Sequence, residues 1–434
     1  MDIGLFFAGM AALALLIALA AIIYGSIVPL KLHFGTDLSR LPSHVIPDQK
    51  QPFVGLALSG GGARAAVFAA AGMEALHKRG ILDQITHVSS VSGGGFAASY
   101  LALHPVAPDA RAYFKRMQSV MAHDFFWDVQ MNQLRKPSRA FSPSRRLVSL
   151  QDALNRSDFL RGAHFADLPK DRTFFFNAVS YDTGRRFVFS NSSLPSFDAT
   201  ETAVLPSTLR ALSFSGGKSM RATPPDVPIS LAVATSAAFP PYLGPTTLHI
   251  EGQSADSDEY WHLGDGGVVE NSGLETLREA VYARGKNGQA IIYVFNAGQR
   301  LDSEVSQKWL DISIWSREVT RLVDVLLEYA TAHRETMSAA LDVKNGMNIK
   351  VIEFDYLAVT KATASGAPAF ARWLTWDGWY FSTHADRTAS KTPAEHLAKV
   401  PTALKITACD KQLVAEAAAD LVAHHFKTQM AVTT

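Results

Sequence analysis

The stretch from Phe53 to Tyr100, FVGLALSGGGARAAVFAAAGMEALHKRGILDQITHVSSVSGGGFAASY, restricts the possible folds of this chain more than any other. Phe53–Leu58 is a short apolar run bounded by glycine, the pattern of a buried strand. Ser59-Gly60-Gly61-Gly62 forms a turn, and Ala63–Arg79 is strongly helical in composition, with Phe68, Gly72, Ala75 and Leu76 on one face. Lys78 and Arg79 suit the last turn of that helix, and Gly80 suits its stop. His87–Val91 is strand-like again, and Gly93–Tyr100 restarts as an alanine-rich helix. This order is a βαβ unit with a serine at its second strand-to-helix junction.

The junction reads Ser90-Val91-Ser92-Gly93-Gly94. A nucleophile elbow, G-x-S-x-G, needs small residues on both flanks, because its strained turn brings strand and helix backbones together. Here Ser90 stands for the first glycine and Gly94 for the second. The pattern alone is weak, since serine and glycine cluster in many loops. The upstream glycines strengthen it: backbone N–H groups of Gly61 and Gly62 at a helix start can point at an oxyanion near Ser92. Gly60–Ala65 also satisfies the dinucleotide pattern G-x-G-x-x-G/A. That reading wants an acidic residue ending the second strand, where this chain has Ser89-Ser90-Val91-Ser92, and Asp83 precedes the strand. A phosphate-binding P-loop lacks its G-K-[ST].

On these residues the chain resembles the patatin-like phospholipases, lipid acyl hydrolases that use a Ser–Asp dyad. Gly60-Gly61-Gly62-Ala63-Arg64 is similar to the family's oxyanion loop, Ser90–Gly94 to its elbow, and Asp265-Gly266-Gly267 to its dyad aspartate motif. Ala234-Thr235-Ser236-Ala237-Ala238-Phe239-Pro240 resembles the block that precedes that aspartate. The likeness runs roughly from Val54 to Val422, with two departures: Ala65 where the family has glycine, and Ser90 in the elbow. It implies an α/β fold, a mixed, largely parallel sheet flanked by helices in a three-layer sandwich. It also implies Ser92 as nucleophile, Asp265 as base, and Gly60, Gly61 and Gly62 as the oxyanion hole. Arg64 is then either a contact to a phosphate headgroup or a brace of the loop.

Composition limits the alternatives. The chain has 434 residues, 47% of them hydrophobic, enough for a large core. A net charge of +1 gives no global attraction to nucleic acid. The single cysteine, Cys409, cannot form an intrachain disulfide, and no Asp/Glu/His spacing resembles a calcium or zinc site. Ile3–Tyr24 is a run of 22 residues without a charge. As a helix it measures about 33 Å, the thickness of a bilayer core. Without Lys or Arg before it, the run reads as a transmembrane anchor (residues 1–26) rather than a cleaved signal peptide. Lys31 and Arg40 behind it place the remainder on the cytoplasmic side. Residues 27–52, with Pro29, Pro42 and Pro47, read as a linker to a catalytic domain over 53–430.

Between Leu101 and Leu150 the periodicity degrades. Phe125-Phe126-Trp127, followed by Arg135-Lys136, Arg139 and Arg145-Arg146, is either a lipid contact or an ordinary loop with core aromatics. Leu150–Leu160 reads as a helix, and Thr173–Val179 and Arg186–Ser190 as strands around the turn Tyr181-Asp182-Thr183-Gly184. Ser213–Pro225 reads as an exposed loop and Ile229–Ala238 as a helix in which Ser236 has no catalytic part. An aspartate before two glycines is by itself a turn former. Asp265 gains chemical meaning from following an elbow and a glycine loop in order, and His262 reads as a flank of its turn. Ala290–Gly298 is a strand, Ser316–Val343 and Thr402–Phe426 are helices, and Phe370–Phe381 is aromatic-dense.

The expectation is therefore a membrane-anchored serine esterase of phospholipase or lysophospholipase type, with no cofactor and no metal. Its partners are a phospholipid or other acyl-lipid substrate and the membrane, with no nucleic acid. Two other readings stay open: a nucleotide-binding oxidoreductase using Gly60–Ala65, and a catalytically silent scaffold at the membrane.

Overall fold

In a computed structural model the described residues are 3–27, 52–139, 143–193, 209–214, 222–240, 242–250, 259–284, 289–298, 325, 336–358, 396–397 and 400–432. Residues 28–51 of the expected linker, residues 316–324 and 326–335 of the helix expected at Ser316–Val343, and the aromatic stretch Phe370–Phe381 lie outside them, whereas residues 336–343 are helical as expected. The strands are β1 (Phe53–Leu58), β2 (His87–Val91), β3 (Thr173–Ser180), β4 (Arg186–Ser190), β5 (Thr246–Ile250), β6 (Glu259–Asp265), β7 (Gln289–Asn296) and β8 (Asn348–Asp355). They form one sheet in the order β5-β6-β3-β2-β1-β7-β8, with β4 paired to β3 off that path. The run β3-β2-β1-β7-β8 is parallel, whereas β6 and β4 lie antiparallel to β3. This is the mixed, largely parallel α/β sheet expected from the sequence.

β1 is buried along its whole length, which is why its sequence shows no alternation: helices cover both faces of a parallel sheet. On one face lies α2 (Gly62–His77), in which every residue from Gly62 to Met73 is buried. Alanine and glycine on all its sides let it sit between the sheet and the C-terminal helix (Ala408–Val432). Phe68 meets Phe295 of β7 and Tyr356 edge-on at 5.7 and 5.8 Å, and Phe295 fills the space that Gly72 leaves open. Each such buried aromatic contributes on the order of 2–3 kcal/mol. The opposite face is covered by α8 (Leu274–Tyr282), whose Leu277 and Val281 pack with Phe53, Ala57 and Ile292.

The stretch from Leu101 to Leu150, which lacks a clear period, holds three helices: α4 (Ala110–Met121), α5 (Phe125–Arg135) and α6 (Pro143–Leu154). The helix expected at Leu150–Leu160 thus starts earlier and ends earlier. Phe125 belongs to the core, packed edge-on against Phe96 at 5.2 Å, Phe126 is half-buried, and Trp127, 57% exposed, is the most open of the three.

The apolar N-terminal run forms one helix, α1 (Ile3–Ile27), with Met10, Leu13, Leu15, Leu16, Ile17, Leu19 and Ile23 exposed. The transmembrane span expected at residues 1–26 is not supported, since among the described residues no helix is long and apolar enough to cross a membrane.

Candidate active site

β2 ends at Val91, and α3 (Gly93–Leu103) begins two residues later, so the chain must reverse within Ser92. It does so with φ 48° and ψ −121°, a positive φ that a non-glycine residue adopts only under constraint from its surroundings. This is the geometry of a nucleophile elbow, and it places the Ser92 side chain at the carboxyl edge of the parallel strands. The strain is possible because the two residues that follow, Gly93 and Gly94, have no side chain. A Cβ on Gly93 would collide with the backbone of Gly62, approaching its carbonyl carbon to 2.7 Å.

Asp265 reaches the same place from the other direction. β3 extends past the end of β2, and β6 returns antiparallel along that extension. In register, Val91 pairs with Asn177 and Asp265 with Ala178, so consecutive residues of β3 seat the elbow and the aspartate side by side. Asp265 is buried and accepts a hydrogen bond from the Gly267 N–H (2.7 Å), and the Ser92 hydroxyl is near enough to favour its charged form. Desolvation outweighs the Gly267 bond and the influence of Ser92 and pushes its carboxyl up to about 7. A carboxylate poised there beside a serine hydroxyl can take and return the proton near neutral pH.

The two described histidines nearest in sequence to the dyad elements are engaged elsewhere. His87 starts β2, far from its Ser92 end, is stacked on Phe53 at 4.2 Å, and is lowered to about 3 by burial and then by Arg284. His262 turns its Nδ1 to Asp182 at 2.9 Å on an exposed edge, so Asp182 is more than a turn former: it also holds the backbone N–H of His262. His384 lies outside the described residues.

The glycine loop divides its roles. The N–H of Gly60 donates to the Asn271 carbonyl at 2.9 Å, so Gly60 is not an oxyanion donor. Its lack of a side chain instead lets Ser92 close in, for a Cβ there would stand 3.2 Å from the Ser92 Cβ. Gly61 (φ 140°) and Gly62 (φ 61°) open α2, and among the described residues no hydrogen-bond acceptor faces their N–H groups. The next N–H, of Ala63, donates to the Ala403 carbonyl at 2.7 Å. Gly62 packs against the same Ala403 backbone, so the chain itself covers the helix start that a dinucleotide pyrophosphate would require.

Arg64 is not a headgroup contact. It is fully buried, donating through Nη1 to the Val400 carbonyl (2.6 Å) and through Nη2 to Thr402 Oγ1 (3.1 Å), with its guanidinium 5.2 Å from the Tyr356 ring centre. The rigid fork ties the loop to the segment carrying Ala403, the bracing role of the two expected.

Two residues not predicted to take part also meet here. The Ser92 N–H donates to Ser236 Oγ at 2.8 Å, at the end of α7 (Ile229–Ser236), and the Ser236 hydroxyl donates to the Asn177 carbonyl at 2.5 Å. The sequence signal for Ser236 was its place in the Ala234–Pro240 block, and for Asn177 it was a lone amide in the otherwise apolar run TFFFNAV.

The sequence model described as Patatin-like phospholipase matches residues 56–278, a span that contains the glycine loop, the elbow and Asp265. No curated protein matches. Among solved structures, human GIVD cytosolic phospholipase A2 in complex with methyl gamma-linolenyl fluorophosphonate is 13% identical with a TM-score of 0.42, covering 93% of this chain and 60% of that one. A second structure of the human enzyme gives 13% identity and 0.37, covering 64% and 46%. VipD from Legionella pneumophila gives 14% and 0.26, covering 77% and 66%. This chain thus spans about half the length of the human chains it matches, and the family assignment rests on the sequence model.

Proposed function

The chain belongs to the patatin-like phospholipase family, and from that premise we propose that it is a lipid acyl hydrolase in which Ser92 and Asp265 form the catalytic dyad. The strained strand-to-helix turn at Ser92, with the buried Asp265 carboxyl seated beside it through neighbouring residues of β3, carries this reading. Ser92 Oγ attacks the ester carbonyl carbon while its proton passes to Asp265. The N–H groups of Gly61 and Gly62 receive the developing oxyanion. Collapse expels the alcohol, which takes the proton from Asp265 and leaves an acyl-serine. Water then attacks that ester, Asp265 accepts its proton and returns it to Ser92, and the carboxylic acid departs.

The test is labelling by a fluorophosphonate, with the adduct mapped by mass spectrometry. Label on Ser92, lost in Ser92→Ala, is expected; a folded protein that stays unlabelled supports the scaffold reading. Because Asp265 must be ionised to act as base, the rate of labelling rises with pH through a limb near 7. A rate that stays flat from about pH 5 to pH 9 is inconsistent with Asp265 as the base.

The lipid is reached, in this proposal, through α1. Its exposed Leu15, Leu16 and Ile17 and the exposed Trp127 support association with a lipid surface. Deletion of residues 1–26 is expected to lower co-sedimentation with anionic phospholipid vesicles while sparing hydrolysis of a short-chain soluble ester. Unchanged co-sedimentation would remove α1 from the account.

A further inference from the structure

The dyad is held by a hydrogen-bond relay that the reaction itself does not use. The Ser92 amide lies beneath the attacking hydroxyl, and its N–H is committed to Ser236 Oγ (2.8 Å), not to an oxyanion. The Ser236 hydroxyl has one proton, which goes to the Asn177 carbonyl (2.5 Å), so a lone pair of Oγ is aimed at Ser92. The Asn177 side chain grips the same elbow from below, its Nδ2 donating to the Ser90 carbonyl and to Ser89 Oγ, both at 2.9 Å. Its Oδ1 accepts from the Thr276 hydroxyl at 2.5 Å, which fixes the orientation of the amide. The aspartate turn rests on the same peptide: a Cβ on Gly266 would collide with the Asn177 carbonyl oxygen and come within 2.8 Å of the carbonyl carbon. Ser236 and Asn177 are almost completely buried, with exposures of 0% and 1%, so no water replaces these bonds.

We propose that Ser236 and Asn177 are positioning residues: the Asn177 carbonyl is the common reference from which Ser236 sets the Ser92 backbone and on which the Asp265 turn is seated. The inference rests on the dyad reading above. Ser92 holds a positive φ, a strained conformation for a residue with a side chain, and one directional bond to its N–H opposes relaxation. Without that bond the elbow is free to rotate and the Ser92 hydroxyl drifts from the Asp265 carboxylate. A displacement near 1 Å costs roughly 100-fold in rate without weakening substrate binding.

The experiment compares the full-length parent with Ser236→Ala, Ser236→Thr and Ser236→Cys on a soluble short-chain ester, with Ser92→Ala as reference. Ser236→Ala is expected to lower kcat about 10- to 100-fold with KM changed less than about threefold, its melting temperature staying close to that of the parent. Threonine restores the hydroxyl and is expected to recover kcat to within about threefold of the parent. Cysteine keeps the volume but is a weak acceptor, so it should behave like alanine, and it supplies the reading if the alanine variant does not fold. A parental kcat in folded Ser236→Ala or Ser236→Cys, with Ser92→Ala inactive, overturns the relay and leaves the dyad standing. An active Ser92→Ala overturns the dyad reading and the relay with it.

Discussion

Asp265→Asn lowers kcat for ester hydrolysis by about three to four orders of magnitude, and Ser92→Ala removes it. Asparagine keeps the size of the side chain and can still accept from the Gly267 N–H, so the turn survives while the base is lost. The same substitution is expected to stabilise the fold at alkaline pH, and the sign follows from the proton balance. The Asp265 carboxyl lies near 7 in the folded chain against an ordinary 3.8. Between about pH 4 and 7 the folded state holds a proton that the unfolded state has released, so stability falls as pH rises through that window. Above it the buried carboxylate costs on the order of 2–4 kcal/mol, which asparagine does not incur. Thermal melts at about pH 8 and pH 4 check this: the variant should melt above the parent at the former and close to it at the latter. Steady-state kinetics of His87→Ala, His262→Ala and His384→Ala complete the test, since a folded but inactive histidine variant would point to a triad.

Gly62→Ala and Gly93→Ala are expected to lower kcat/KM by about 100-fold or more and to destabilise the chain by roughly 1–3 kcal/mol. These glycines lie where the glycine loop, the elbow and the Val400–Ala403 segment meet backbone to backbone. A methyl on Gly62 meets the Ala403 peptide, with 2.9 Å to its carbonyl carbon and nitrogen, and a methyl on Gly93 meets the Gly62 peptide. Neither obstacle is the movable end of a side chain, so the loop carrying the Gly61 and Gly62 N–H groups must shift. Gly80→Ala is the control. Gly80 also has a positive φ, 67°, but nothing lies within 4 Å of its added Cβ. It should lose about 1 kcal/mol of stability and keep its activity. Equal activity losses at all three sites would mean that backbone conformation, rather than contact between the loops, sets the rate.

The local chemistry was readable from consecutive residues. A glycine-bounded apolar run, an alanine-rich helix and a serine between small residues are properties of a few consecutive positions, and they were legible as β1, α2, β2 and the elbow. Asp265 was legible too, because its two following glycines mark a turn and its place in the motif order set it apart from other turn aspartates. The helices between Leu101 and Leu150 were less so. Their capping signals, Asp109 accepting from the Ala112 N–H and Asp124 from the Trp127 N–H, are single residues among many polar ones.

What each group is free to do follows from contacts made when the chain folds. Gly60, Gly61 and Gly62 are identical in sequence, yet the Asn271 carbonyl takes the N–H of the first and leaves those of the other two. Arg64 carries the same charge whether it faces a phosphate or the Val400 carbonyl, and burial made it a brace. Ser236 and Asn177 acquire meaning only when β3 draws the ends of β2 and β6 together. Hydrogen-bond partners and desolvation are set by contacts between residues far apart in the chain, and no local pattern of residues encodes them.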